Sequence, residues 1–190
     1  MADIMERRKA VFRRLLKFFQ PGTCVDLGTG HGLFAIEAAN IGWKVTGVDA
    51  RSERFPSDSR IVWERRDIRK VDLRRFDVIL CLGLFYHLSL KDQLDLLKRC
   101  GGKPVILDTH VDEGSHDHKL SARVQDQGYK GRLYREPGLT TSSWGNTQSF
   151  WPTKESLYLM LGNVGYDVIL AVEPWITNDR TFFLAASSNQ

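Results

Sequence analysis

The apolar pattern of the chain predicts an α/β fold built on a doubly wound, mostly parallel sheet. Three observations carry that prediction. Short apolar runs alternate with amphipathic stretches from position 23 onward. Two of those runs, "FDVILCL" and "KPVILDT", are apolar over almost their whole length, as strands covered on both faces are. A glycine-rich turn, "LGTGHG", follows the first run directly, at the kind of strand end where such sheets bind ligands.

Taken in order, the elements begin with a helix over residues 1–20. Its apolar positions Ile4, Val11, Phe12, Leu15, Leu16 and Phe19 recur at helical spacing, with Arg7, Arg8, Arg14 and Lys17 opposite. That arrangement reads as a helix lying on the domain with a solvated basic face. Pro21-Gly22 ends it. Strands follow at 23–27, 43–49, 60–65, 76–82 and 103–109. Between them lie a helix from about residue 32 to 40, a weak helical piece at 52–54 and an amphipathic helix at 90–100 closed by Gly101-Gly102. Residues 110–152 break the alternation. They are polar, yet carry Tyr129, Tyr134, Trp144, Phe150 and Trp151, so they read as a long functional loop, a lid over a site, rather than a linker. A helix capped by Thr153 comes next, then strands at 166–172 and 180–187 joined as an antiparallel hairpin. The sum is one domain over 1–190 with seven strands.

Composition narrows the class. With 190 residues, 42% hydrophobic and 26% charged, the chain has enough material for one core without staples. Cys24, Cys81 and Cys100 cannot form a full disulfide set, and two of them fall in buried runs, which points to reduced thiols and a cytoplasmic setting. No apolar stretch is long enough to span a bilayer. The N-terminal stretch has the charge but not the uninterrupted apolar core of a secretory signal. A net charge of +4 is modest for a nucleic-acid-binding surface.

The glycine turn has its three glycines, Gly28, Gly30 and Gly32, at every second position. The dinucleotide fingerprint wants a third glycine where this chain has Leu33. Three acids then follow three successive strands: Asp26 inside the first turn, Asp49 after the second strand and Asp67 after the third. Each alone could cap a turn. Together they mark one edge of the sheet.

"VDLGTGHG", "VTGVDA" and "RRDI" in this order resemble the cofactor motifs of class I S-adenosylmethionine-dependent methyltransferases, over residues 23–109. The resemblance implies a Rossmann-like fold and S-adenosyl-L-methionine as cofactor. It implies that Asp26, Gly28, Thr29, Gly30 and Gly32 surround the methionine part and that Asp49 and Ala50 meet the ribose. Asp67 and the Ile68 N–H meet the adenine, and Leu82 closes the wall. Asp26 would face the ammonium, directly or through water. His31 reads as a rim residue.

Methyl transfer is an in-line displacement in which the protein aligns the acceptor and, for a hydroxyl, removes its proton. The run after the fourth strand, "CLGLFYHL", lacks the Asn/Asp-Pro-Pro-aromatic pattern of enzymes that methylate the amines of bases. It resembles instead a branch containing tRNA wobble-uridine carboxymethyltransferases and small-molecule methyltransferases. Tyr86, His87 and His110 are therefore the catalytic candidates, with either histidine as base and Tyr86 as wall or catalyst. Trp144, Asn146, Arg135 and Trp151 are candidates for acceptor contact, beside Arg123 and Arg132 in the same stretch. His110, Asp112, Glu113, His116 and His118 match no fixed ligand spacing, so no metal is expected. The expected activity is O-methylation of a small-molecule or glycan-type acceptor. RNA modification and a non-catalytic binding module stand as alternatives.

Overall fold

The structure is a computed structural model, and it describes residues 2–114, 121–138, 143–173 and 180–188. Its centre is a seven-stranded sheet in the order β3-β2-β1-β4-β5-β10-β9. These strands are β1 Thr23–Leu27, β2 Lys44–Asp49, β3 Ile61–Arg65, β4 Val78–Leu82, β5 Val105–His110, β9 Val168–Val172 and β10 Arg180–Ala186. The first five pair in parallel, whereas β10 runs antiparallel to both β5 and β9. Strand order reverses between β1 and β4, so a crevice opens at their carboxyl ends.

Helices cover both faces. On one side α1 (Ala2–Leu16) and α2 (Leu33–Asn40) seal a layer containing Phe12, Phe34, Ala38, Trp43, Leu80 and Phe182. On the other, α3 (Leu90–Cys100) and α4 (Lys154–Asn163) seal a second layer containing Leu27, Ile79, Phe85, Leu97, Leu157 and Phe183. Capping follows the sequence. Ser89 and Thr153 accept from the N–H groups of Asp92 and Ser156 at the helix starts, and Gly101 ends α3 in the left-handed region. Cys24, Cys81 and Cys100 are buried, unpaired thiols.

Residues 110–152 differ most from expectation. In place of one long loop they carry a second, three-stranded antiparallel sheet: β6 Ser121–Asp126, β7 Tyr129–Arg135 and β8 Gln148–Pro152. Asp126 pairs with Tyr129 across a two-residue turn, Gln127 and Gly128, both at positive φ. This is the hairpin geometry that matches strand twist, but Gln-Gly is a weaker signal for it than Asn-Gly, and "SARVQD" has little apolar alternation. The small sheet docks through its inner face. Tyr129 and Phe150 enter the main core, and buried Gln93 donates to the carbonyls of Phe85 (2.9 Å) and Phe150 (2.6 Å).

Two smaller readings are also corrected. Residues 52–54 form a turn, closed by Phe55 N–H on the Ser52 carbonyl, because the run is too short to nucleate a helix. The basic side of α1 is not simply solvated. Arg8 turns inward to Asp108, and Lys9 and Arg13 pair with Glu37 on α2.

Candidate active site

The crevice above β1, β2 and β4 is an open cleft of about 750 Å3 including its mouth. Six of the residues expected to hold the cofactor line it: Gly28, Gly30, Asp49, Ala50, Asp67 and Ile68. Backbone bonds set the turn in place. The N–H groups of Gly28 and Thr29 both reach the Val48 carbonyl, at 2.8 and 3.0 Å, and that of Gly30 reaches Asp49 Oδ2 at 3.0 Å. Asp49 Oδ1 accepts from the Arg51 N–H at 2.9 Å, so the carboxylate is fixed at the end of β2 before any ligand arrives. A Cβ at Gly30 would meet nothing closer than 4.0 Å and would fill the cleft instead. At Gly32 the demand is internal: φ is +66°, and a Cβ would come within 2.5 Å of the Trp63 ring. The cradle thus suits a ligand that must approach the backbone closely.

The other four cofactor candidates stand behind this surface. Asp26 is 2% exposed and accepts from the Thr29 hydroxyl at 2.6 Å. Burial pushes its carboxyl up to about 7, against the pull of Thr29. Thr29, Gly32 and Leu82 are likewise buried. These residues shape the turn and the floor rather than present atoms to the cleft.

Asp67 caps the short 3-10 turn Ile68–Lys70, accepting from the N–H of Arg69 and from its Nε at 2.9 Å. Burial opposes ionisation there, but Arg69 outweighs it and holds the carboxyl below its ordinary value. Arg69 also reaches Asp92 at 3.7 Å, and its guanidinium lies 5.8 Å from the centre of the Trp144 ring. Trp144 thus lies beside Arg69, the partner of Asp67, and lines the cleft. Asn146 and Ser143 also line the cleft.

His87, the last residue of the 3-10 turn Phe85–His87 that follows β4, also lines the cleft. Its Nδ1 lies 3.1 Å from Glu136 Oε1, and its carbonyl accepts from Ser143 Oγ (2.8 Å) and Asn146 Nδ2 (3.0 Å). Tyr86 packs beside it, 4.3 Å between ring centres, but does not line the cleft. His110 is stacked on Trp151 at 4.9 Å, and Trp151 on Tyr134 at 5.1 Å. The Nε2 of His110 meets Arg180 Nη1 at 2.6 Å, so its lone pair is engaged. Arg180 and Arg8 converge on Asp108, which has no exposure: their Nε atoms each reach it at 2.9 Å. Arg135 stands exposed at the end of β7, and Arg132 is buried against Asp112 and Ser121. His116 and His118 lie outside the described residues; among those described, no three His, Cys, Asp or Glu side chains gather as a metal site. Sequence reasoning did not single out Glu136, Ser143 or Arg69. Glu136 could be found only from its contact across 49 residues.

A strand-order crevice lined by a glycine turn and by Asp49 and Asp67 is the arrangement that the motifs of the S-adenosylmethionine-dependent methyltransferases imply. The chain belongs to the methyltransferase-domain family, whose model matches residues 4–103. Solved structures share the fold. The N-terminal domain of EvdMO1 with S-adenosylhomocysteine bound superposes with a TM-score of 0.73 at 21% identity, covering 95% of this chain and 79% of that one. The 1,6-didemethyltoxoflavin-N1-methyltransferase of Burkholderia thailandensis, solved with its acceptor and S-adenosylhomocysteine, gives 0.67 at 17%, covering 96% and 77%. The glycopeptide N-methyltransferase MtfA complexed with S-adenosylmethionine gives 0.64 at 15%, covering 94% and 93%. No curated protein matches the chain. None of the described helices is long and apolar enough to cross a membrane.

Proposed function

We propose that this methyltransferase acts on a hydroxyl of a small-molecule or glycan-type acceptor, with His87 receiving the proton. The observation that carries the reading is that His87 lines the same cleft as Asp49 and Asp67. A ligand lying from Asp67 past Asp49 and over Gly28 and Gly30 brings its reacting end toward that ring. S-Adenosylmethionine supplies an activated methyl group when bound. The chain's own residues do the rest. Asp49 accepts from the ribose hydroxyls, Asp67 and the Ile68 N–H engage the adenine, and the turn backbone takes the methionine part. Asp26 and Thr29 brace the turn from below.

A hydroxyl is a poor nucleophile until its proton has somewhere to go, and a neutral imidazole near pH 7 suits that transfer. Of the two histidines, the reading favours His87, because Arg180 already occupies the Nε2 of His110. Tyr86, His110 and Trp151 then serve as an aromatic wall. The fold likeness to a 1,6-didemethyltoxoflavin N1-methyltransferase and a glycopeptide N-methyltransferase supports a small-molecule or glycan-type acceptor and says nothing of the atom methylated.

The test is methyl transfer from deuteromethyl-labelled S-adenosylmethionine to a panel of sugars, glycosides, phenols and amines, read by mass spectrometry. The expected result is a labelled methyl ether whose formation fails in His87→Ala. Label appearing only on amines, and equally in wild type and His87→Ala, would overturn the reading.

A further inference from the structure

Glu136 is the first residue after β7 and comes from the second sheet, yet it is 9% exposed against the His87 ring. Its two oxygens are both used. Oε1 faces His87 Nδ1 at 3.1 Å, and Oε2 accepts from the Ser143 N–H at 3.1 Å. Its own N–H donates to the Thr147 carbonyl at 2.9 Å, which closes the neck of the segment 136–147. The same segment grips the His87 backbone through Ser143 Oγ and Asn146 Nδ2. Ring and main chain are thus held from one side by one short stretch of chain.

A carboxylate only accepts hydrogen bonds, so the ring nitrogen facing it must carry the hydrogen. Burial works to raise the Glu136 carboxyl, but the bonds from His87 and Ser143 outweigh it and keep it ionised. Tyr86 packs beside the His87 ring, and the cleft that His87 lines also carries Asp49, Arg51, Arg54, Asp67, Arg69 and Asp92. Among the described residues, Glu136 is the one carboxylate hydrogen-bonded to the ring.

We propose that Glu136 is a positioning residue: it holds His87 as the Nδ1–H tautomer, so that the Nε2 lone pair is the proton-accepting one. This rests on the reading of His87 as base. In the transfer, the acceptor O–H bond breaks and its electron pair stays on oxygen. The proton bonds to Nε2, and the imidazolium so formed faces the ionised Glu136, which stabilises it.

Nitrogen NMR of the protein labelled with 15N-histidine tests the assignment without any acceptor, with the His87 signals identified by their loss in His87→Gln. In the neutral ring, the wild type is expected to show a protonated Nδ1 and an unprotonated Nε2. Glu136→Leu should revert the ring toward the Nε2–H form, which an unconstrained imidazole prefers, while Glu136→Asp should keep the Nδ1–H form in part. Isothermal titration with S-adenosylhomocysteine, unchanged within about threefold, checks that each variant keeps its cofactor cleft. A wild-type ring in the Nε2–H form overturns the proposal by itself. So does a Glu136→Gln enzyme whose turnover, on whichever acceptor the panel yields, stays within twofold and keeps its acid limb in place while His87→Ala has lost activity. The expected loss in Glu136→Gln is about ten- to a hundredfold. Should His87→Ala prove fully active, the base reading fails, while the tautomer measurement still decides what Glu136 does to the ring.

Discussion

At the Asp67 end of the cleft the hydrogen bonds of the two acids join near neighbours in the chain: Asp67 to Arg69, Asp49 to Arg51, and Gly30 to Asp49 across 19 residues. Around His87 they join distant ones, with Glu136, Ser143 and Asn146 lying 49 to 59 residues away. The first end is made of strand ends and turns that belong to the parallel sheet. The second is made where a separate antiparallel sheet leans on that sheet. A common cofactor needs the same local turn each time, whereas an acceptor site can be changed by altering what is laid over it. On the proposed function, cofactor binding belongs to the first end and choice of acceptor to the second.

The sharpest way to break this division is at His87. His87→Ala is expected to lower kcat by about a hundred- to ten-thousandfold while the affinity for S-adenosylhomocysteine moves less than threefold; a large loss of affinity would show that the two ends are not separable. Asp49→Ala should do the reverse and weaken S-adenosylhomocysteine binding by at least about a hundredfold in titration calorimetry. On the proposed ribose role it removes two hydrogen bonds to a charged group.

Gln93→Leu probes the seam. It removes the buried side-chain donor from the Phe85 and Phe150 carbonyls, the first of which keeps the Leu88 N–H, at a cost of about 1–3 kcal/mol in all. Chemical denaturation should show that loss, and limited proteolysis should cut first in the small sheet while the cofactor end stays protected.

Asp26→Asn separates support from contact. Because burial raises the folded carboxyl to about 7, well above its unfolded value, its favourable share is complete below about pH 4 and is lost as pH rises through 7. Asn keeps the acceptor for Thr29 and cannot ionise. The melting temperature of the variant relative to wild type should therefore climb between pH 4 and 8. A flat difference would mean that Asp26 is solvated or already paired.

The smallest effect belongs to Trp144. Its position over Arg69 places it at the cofactor end, so Trp144→Ala should weaken S-adenosylhomocysteine binding by several fold and leave the acceptor KM unchanged. The opposite pattern would return Trp144 to the acceptor side.

How much of this was legible follows from the same contrast. That Gly28, Gly30, Asp49 and Asp67 line one cleft could be read directly, because their places depend on a strand, a turn and a spacing. The helix capped by Thr153 and the one closed by Gly101 were legible for the same reason. The second sheet was not, since its first strand is mostly solvent-facing and lacks alternation, and its hairpin turn uses Gln127-Gly128. Glu136 looked like any other loop acid until β7 carried it to His87. Arg8 looked like a member of a solvated stripe, because nothing near it in the chain announces Asp108. Trp144 and Trp151, alike in sequence, part company in space: one meets Arg69 and the other joins the stack with His110.

The Asp108 junction has a consequence for how the chain comes to be made. Its two guanidinium partners sit 100 residues before it and 72 after it. On the ribosome, α1 and the first four strands can emerge with Arg8 ready. The second arginine is supplied only when the last sheet strand is synthesised. Until then the nascent sheet ends at β5 with an exposed edge, and the carboxylate holds a single partner. Completion of the junction is thus a late assembly step, one that locks the earliest helix and the final strand onto the same buried atom pair.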